Sequence, residues 1–189
     1  MGKLVVTEFV TLDGVFQDPG GTAEFERGGW AFQFDQGDEG AKFKFDELLA
    51  SDAQLLGRVT YEGFAKAWPT MEGTGEFGEK MNAMPKFVVS TTLDNPEWNN
   101  TTVLKGDLAK EVEALKQQFA GDILVAGSGQ LVTSLLANDL VDELHLMVFP
   151  VVLGAGKQLF GDTDATKSME LVETKQAGET VILVFRPRS

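Results

Sequence analysis

Cysteine is missing from this chain of 189 residues, histidine and tyrosine each occur once, and basic residues are outnumbered 16 to 29 by acidic ones. Without a thiol there can be no disulfide, thiolate metal site or cysteine nucleophile. With one histidine, a histidine-based triad or a polyhistidine metal site could be built only around His145. That residue lies in the apolar run Leu144-His145-Leu146-Met147-Val148-Phe149, where a structural strand position is the competing reading. No metal site is expected. The formal net charge of -13 opposes attraction to nucleic acid, whose partners are usually basic. No apolar run approaches the roughly 20 residues that span a bilayer. The start, Met1-Gly2-Lys3-Leu4-Val5-Val6, lacks both a signal core and the hydroxyl residue of a myristoylation motif. A cytoplasmic protein without nucleic-acid or membrane partners is the expectation.

What is present fits one folded domain over residues 1–189: 43% of the chain is hydrophobic and 24% charged, with no repeat, linker or low-complexity tract. Lys3 to Leu12 reads as a strand rich in valine, threonine and phenylalanine. Asp13 to Gly40 is a long glycine-rich segment whose Phe16, Phe25, Trp30, Phe32 and Phe34 argue for a pocket wall over disorder. Helical spacing follows over Ala41 to Ala50, a short strand over Ala53 to Leu56, and a helix over Arg58 to Ala67 closed by Trp68-Pro69. Glu76 to Ala83 reads as a short helix and Lys86 to Thr91 as a buried strand ending in hydroxyls. Asp107 is a natural N-cap for Leu108 to Phe119. Ile123 to Ala126 is the next strand, Gln130 to Ala137 a helix and Val141 to Val148 a strand. Leu171 to Lys175 and Thr180 to Phe185 read as a hairpin. This alternation implies a three-layer α/β/α fold: a mixed, mostly parallel sheet with a C-terminal antiparallel hairpin, ligands lying at the carboxyl ends of its strands.

Two segments carry chemistry. Leu56-Gly57-Arg58-Val59-Thr60 and Val125-Ala126-Gly127-Ser128-Gly129-Gln130-Leu131 each sit where a strand hands over to a helix. There the first helical amides have no intrahelical acceptor, the helix dipole is positive, and glycine admits a phosphate close to the backbone. Either glycine turn alone could serve backbone freedom only. The pair suits a dinucleotide.

In their order, Thr11-Leu12-Asp13-Gly14, Leu56-Gly57-Arg58-Val59-Thr60-Tyr61-Glu62, Val88-Val89-Ser90-Thr91 and Val125 to Leu131 leading to Leu140-Val141-Asp142-Glu143-Leu144 resemble the dihydrofolate reductase superfamily. With Pro150-Val151-Val152-Leu153-Gly154, the chain is most similar to the reductase domain of the riboflavin-synthesis deaminase-reductases, here without a deaminase half. The resemblance implies a dihydrofolate-reductase-like fold, a homodimer and an NADPH-dependent oxidoreductase transferring hydride to a small heterocycle, such as the ribosylaminopyrimidine of riboflavin biosynthesis. It implies that Leu56, Gly57, Arg58 and Thr60 hold cofactor phosphates, with Arg58 on the 2′-phosphate or else in a surface ion pair. Ser90 and Thr91 would lie at the adenosine end, and Gly127, Ser128, Gly129, Gln130 and Leu131 at the pyrophosphate. Thr7, Asp13, Gly14 and Val15 would line the nicotinamide end. Asp13 is the catalytic candidate, orienting a heterocycle or relaying a proton, with fixation of the turn before Gly14 as the competing role.

Two departures from the resemblance leave alternatives open. The first-helix acid of the pterin-reducing members has no secure counterpart among Asp38, Glu39 and Asp46, and the riboflavin-pathway reductases carry a glutamate where this chain has Ala126. Dihydrofolate reductase, or a non-catalytic nucleotide-binding protein of the same fold, are the alternatives. Trp30 and Phe34 could stack on a planar heterocycle or pack in the core. The run Leu144 to Leu153 could make the subunit contact or form sheet core.

Overall fold

The computed structural model describes residues 1–161 and 166–188. Eight strands form one sheet: β1 (Leu4–Thr11), β2 (Ser51–Gly57), β3 (Lys86–Val89), β4 (Thr101–Leu104), β5 (Asp122–Ala126), β6 (Glu143–Phe149), β7 (Met169–Ala177) and β8 (Thr180–Pro187). Their order is β4-β3-β2-β5-β1-β6-β8-β7. The first six in that order are parallel, and β8 runs antiparallel to both β6 and β7. Among the described residues five α-helices lie between them: α1 (Gly37–Ala50), α2 (Arg58–Ala67), α3 (Gly75–Ala83), α4 (Leu108–Gln118) and α5 (Gly129–Ala137). The expected mixed α/β architecture with its C-terminal hairpin is therefore present. The edge strand β4 has no counterpart in the sequence reading, and β3 stops at Val89, leaving Ser90 and Thr91 just beyond its carboxyl end.

A mostly parallel sheet needs cover on both faces, which explains the apolar runs Leu4 to Val6 of β1 and Ile123 to Ala126 of β5. On one face Val112, Leu115, Leu131 and Leu135 of α4 and α5 pack on Leu4, Val6 and Ile123. On the other, Leu48, Tyr61 and Met81 of α1, α2 and α3 pack on Val5, Leu56 and Val88. The chain leaves β1 by α1 on one face and leaves β5 by α5 on the opposite face. In strand order these connections run in opposite directions, so the carboxyl ends of β5 and β1 flank a topological switch point, where open α/β sheets place their ligands.

The segment before α1 joins a third cluster. Trp30 is 1% exposed, its Nε1 donates to the Gln17 carbonyl at 2.9 Å, and its ring meets Phe149 edge-on at 5.2 Å, with Phe34 also against Phe149. Of the two readings for these aromatics, the structure therefore has core packing. β6 lies between β1 and β8, so Leu144, Leu146, Met147 and Phe149 are sheet core and offer no subunit surface. No helix among the described residues is long and apolar enough to cross a membrane.

Candidate functional site

The two glycine turns converge. Gly57 ends β2 and Gly127 follows β5, and the Gly57 N–H donates to the Ser128 hydroxyl at 2.8 Å. A Cβ added at Gly57 would stand 3.3 Å from the Ser128 side chain, and one added at Gly127 would stand 3.0 Å from Thr60 Oγ1, so each turn fills the space a side chain would need in the other. Gly127 also has φ +60°, a left-handed conformation that glycine adopts at little cost, and Ser128 follows at +66°. A Cβ at Gly129 would overlap the Phe16 ring. Neither α2 nor α5 has a side-chain cap, whereas Asp107 caps α4 by accepting the Lys110 N–H at 3.1 Å. α1 and α3 lack a side-chain cap as well; what sets α2 and α5 apart is that their N-termini meet, so the positive ends of two helix dipoles lie together.

Other predicted cradle residues flank this junction. Leu56 is buried in the β2 core, and Leu131 anchors α5 in the core on the opposite face. Gln130 is exposed in the first turn of α5. Arg58 opens α2 and pairs with Glu62 at 3.0 Å, both side chains nearly half exposed. Ser90 accepts the N–H groups of Thr92 and Leu93 in the turn after β3, and Thr91 is exposed beside it.

At the first-strand exit Asp13 joins two loops. Asp13 accepts the Thr11 hydroxyl at 2.6 Å and the amides of Leu153 and Gly154 at 3.1 and 2.8 Å. The Thr11 hydroxyl, then the Gly154 amide, hold its carboxyl down at about 2. Its geometry is that of an ionised anchor between two loops, the turn-fixing role. Val15, buried, bridges to Gln158, and the Gly14 carbonyl accepts the Leu159 N–H at 2.9 Å, so residues 11–17 and 151–159 are stitched into one cover. Thr7 is buried on the α1 face, its hydroxyl bonded to Lys44 Nζ at 2.6 Å.

Three buried or half-buried ionisable groups, Lys44, Glu47 and Glu8, escaped the sequence reading. Glu47 of α1 is buried, paired with Lys44 at 2.5 Å and with His145 Nδ1 at 2.7 Å, while Glu143 faces His145 Nε2 at 3.2 Å. Burial pulls the imidazole pKa down, but hydrogen bonds and charge from Glu47 and Glu143 outweigh it and raise it above 6.5. Burial raises Glu143 in turn, yet Lys3, His145 and Arg186 hold it at about 2. His145 is therefore a structural strand residue inside an ion network. The α1 acids Asp38, Glu39 and Asp46 are all exposed, Glu39 paired with Lys175 and Asp46 with Lys42. Lys44 and Glu47 share a helix face by their spacing of three, a signal readable only once the phase of α1 is known. The third group, Glu8, is an acid inside an apolar strand. Among the described residues no cluster of three or more His, Cys, Asp or Glu is arranged to hold a metal ion.

The model of the RibD C-terminal domain family matches residues 2–183. This chain belongs to that family. Among family-wide similarities, the uncharacterized protein YwjB of Bacillus subtilis (strain 168) is 29% identical over 184 residues, covering 97% of both chains. The crystal structure of a putative riboflavin biosynthesis protein from Shewanella sp. PV-4 superposes with a TM-score of 0.77 at 19% identity, covering 99% of each chain. Dihydrofolate reductase from Enterococcus faecalis, complexed with NADP(H) and RAB-propyl, superposes with a TM-score of 0.58 at 15% identity, covering 100% of this chain and 98% of that one. The RibD C-terminal domain fold of this chain is thus dihydrofolate-reductase-like.

Proposed function

We propose that the protein is an NADPH-dependent reductase acting on a small heterocycle, its cofactor lying across the carboxyl ends of β3, β2, β5 and β1. The observation that carries this reading is the hydrogen-bonded meeting of two uncapped helix N-termini through Gly57 and Ser128. Two such ends in contact match the adjoining phosphates of a dinucleotide better than a single anion. The reduced cofactor supplies hydride. Gly57, Thr60 and the first turn of α2 hold one phosphate region, and Gly127, Ser128, Gly129, Gln130 and Leu131 present the amides of α5 to the pyrophosphate. Arg58 exchanges an exposed pairing with Glu62, worth about 0.5 kcal/mol or less, for the 2′-phosphate, whose charge and geometry suit a guanidinium better. Ser90 and Thr91 flank the adenosine. Thr7, Gly14 and Val15 border the reactive end, and ionised Asp13 fastens the cover that keeps water from it.

The proposed substrate is a ribosylaminopyrimidine of the riboflavin-biosynthesis type. Dihydrofolate fits less well, because Asp38, Glu39 and Asp46 are exposed and Glu47 is consumed by Lys44 and His145. The anchoring of Asp13 favours one second reading, a nucleotide-binding protein without turnover, since it removes the nominated acid from proton transfer. In both readings the protein is a cytoplasmic homodimer. Oxidation of NADPH on addition of the ribosylaminopyrimidine or of dihydrofolate separates them: turnover of the first supports the reductase, and cofactor binding with no turnover of either supports the second reading.

A further inference from the structure

Glu8 lies where β1 and β5 part. The last pair between the two strands is Thr7 with Ala126, after which Gly127 turns the chain away into α5. Alternation along β1 puts Glu8 on the face of Val6 and Val10, the face α5 covers. Glu8 is buried, 4% exposed, yet its Oε1 has no hydrogen-bond partner. Burial raises the carboxyl pKa well above the usual range, against the pull of the Lys44 ammonium and of the Gly127 amide facing it. The protonated acid is thereby favoured, with an O–H to donate and a carbonyl oxygen to accept.

A buried polar atom without a partner is a cost that a folded chain seldom carries without a use, and this one stands at the sheet's switch point beside the α5 cradle. Strand order says which part of a dinucleotide would arrive there. From Ser90 after β3, through Gly57 and Gly127, to Glu8 in β1 are three strand spacings, about 14 Å, the scale of an extended dinucleotide. With the adenosine at β3 and the phosphates at β2 and β5, the ring end falls between β5 and β1. A nicotinamide carries one amide group, and an amide offers the complement of a protonated carboxyl: an oxygen for its O–H and an N–H for its free oxygen.

We propose that Glu8 is the residue that receives the carboxamide of the nicotinamide ring and so fixes the orientation of that ring in the β1–β5 crevice. The role rests on the cofactor reading above. It makes Glu8 a binding residue, kept despite its cost to the apo fold.

The test compares the wild-type chain with Glu8→Leu and Glu8→Gln by calorimetric titration with NADPH and with 2′-phospho-ADP-ribose, which lacks the nicotinamide, and by thermal melting. Leucine removes both hydrogen-bonding functions. NADPH binding is expected to weaken about tenfold, the scale of two neutral hydrogen bonds, with 2′-phospho-ADP-ribose unchanged and the melting temperature raised. Glutamine keeps a donor and an acceptor and is expected to retain NADPH binding within about threefold. Unchanged NADPH affinity in Glu8→Leu overturns the proposal, as does equal loss of both ligands, which would make Glu8 a support of the cradle. A wild-type chain that binds neither ligand overturns the cofactor reading and Glu8's role with it. A wild-type chain that binds both while Glu8→Leu is indifferent overturns the Glu8 role alone.

Discussion

Replacing Ser128 with alanine cuts the hydrogen bond that joins the two turns and the longer one, 3.3 Å, by which its hydroxyl donates to the Ala126 carbonyl. The Gly57 N–H loses its acceptor at 2.8 Å in a partly buried position. The side chain still reaches Cβ, so van der Waals contact with Gly57 survives and no cavity opens. An amide left without a partner costs about 1–2 kcal/mol, and for a domain of this size each kcal/mol lowers the melting temperature by about 2–4 °C. Glycine at 128 provides the control. It loses the same bonds but relaxes a residue held at φ +66°, a gain of about 1 kcal/mol that offsets most of the loss. The expected outcome is a destabilised Ser128→Ala, a near-neutral Ser128→Gly, and weaker NADPH binding in both, because the relative position of the α2 and α5 amides is no longer fixed. Thermal melting and calorimetric titration of the three proteins provide the comparison. If Ser128→Ala melts and binds as the wild type does, the coupling of the turns through Ser128 is wrong.

Three further outcomes follow from the same geometry. Arg58→Ala should weaken NADPH about tenfold relative to NADH, roughly 1.4 kcal/mol, and alter stability by no more than about 0.5 kcal/mol, since only an exposed pair with Glu62 is lost; paired titrations and melts check both. Raised above 6.5, His145 contributes stability that is present below that value and fades as pH climbs through its folded-state pKa. Glu143, held at about 2 against an ordinary 4.5, contributes stability present above 4.5 and lost as pH falls toward 2. Melting temperature against pH should therefore peak between these limits, and His145→Gln should flatten the alkaline limb specifically. Asp13→Asn should loosen the stitched cover, read as several-fold faster proteolytic nicking within residues 13–36 or 151–161, with α5 and the central strands unaffected.

The sheet was legible because β1, β3, β5 and β6 are largely apolar runs bounded by turn residues and β2 ends in Leu55-Leu56 before Gly57, and the C-terminal hairpin because Ala177-Gly178 separates two strand-like runs. Both glycine turns could be placed at strand ends, but their contact could not. Gly57 and Ser128 stand 71 residues apart and meet only because β2 and β5 are neighbours in the sheet. β4 escaped notice because Thr101–Leu104 is too short to show a period. Glu47 was passed over for Asp46 because one residue on a helix is a rotation of about 100°, enough to exchange solvent for core. The sequence left Asp13 between a catalytic and a turn-fixing role, and its partners Leu153 and Gly154, 140 and 141 residues away, are what make it an anchor. Stacking and core packing were both open for Trp30 in its glycine-rich segment, and only Phe149 of β6 against its ring decides for the core.

The measurement that tests the central claim most directly is a calorimetric titration of the full chain with NADPH and NADH in matched buffer at fixed salt. Two coupled helix N-termini with Arg58 at their edge predict one site per chain, micromolar or tighter for NADPH and weaker for NADH. Binding of neither dinucleotide would contradict the account.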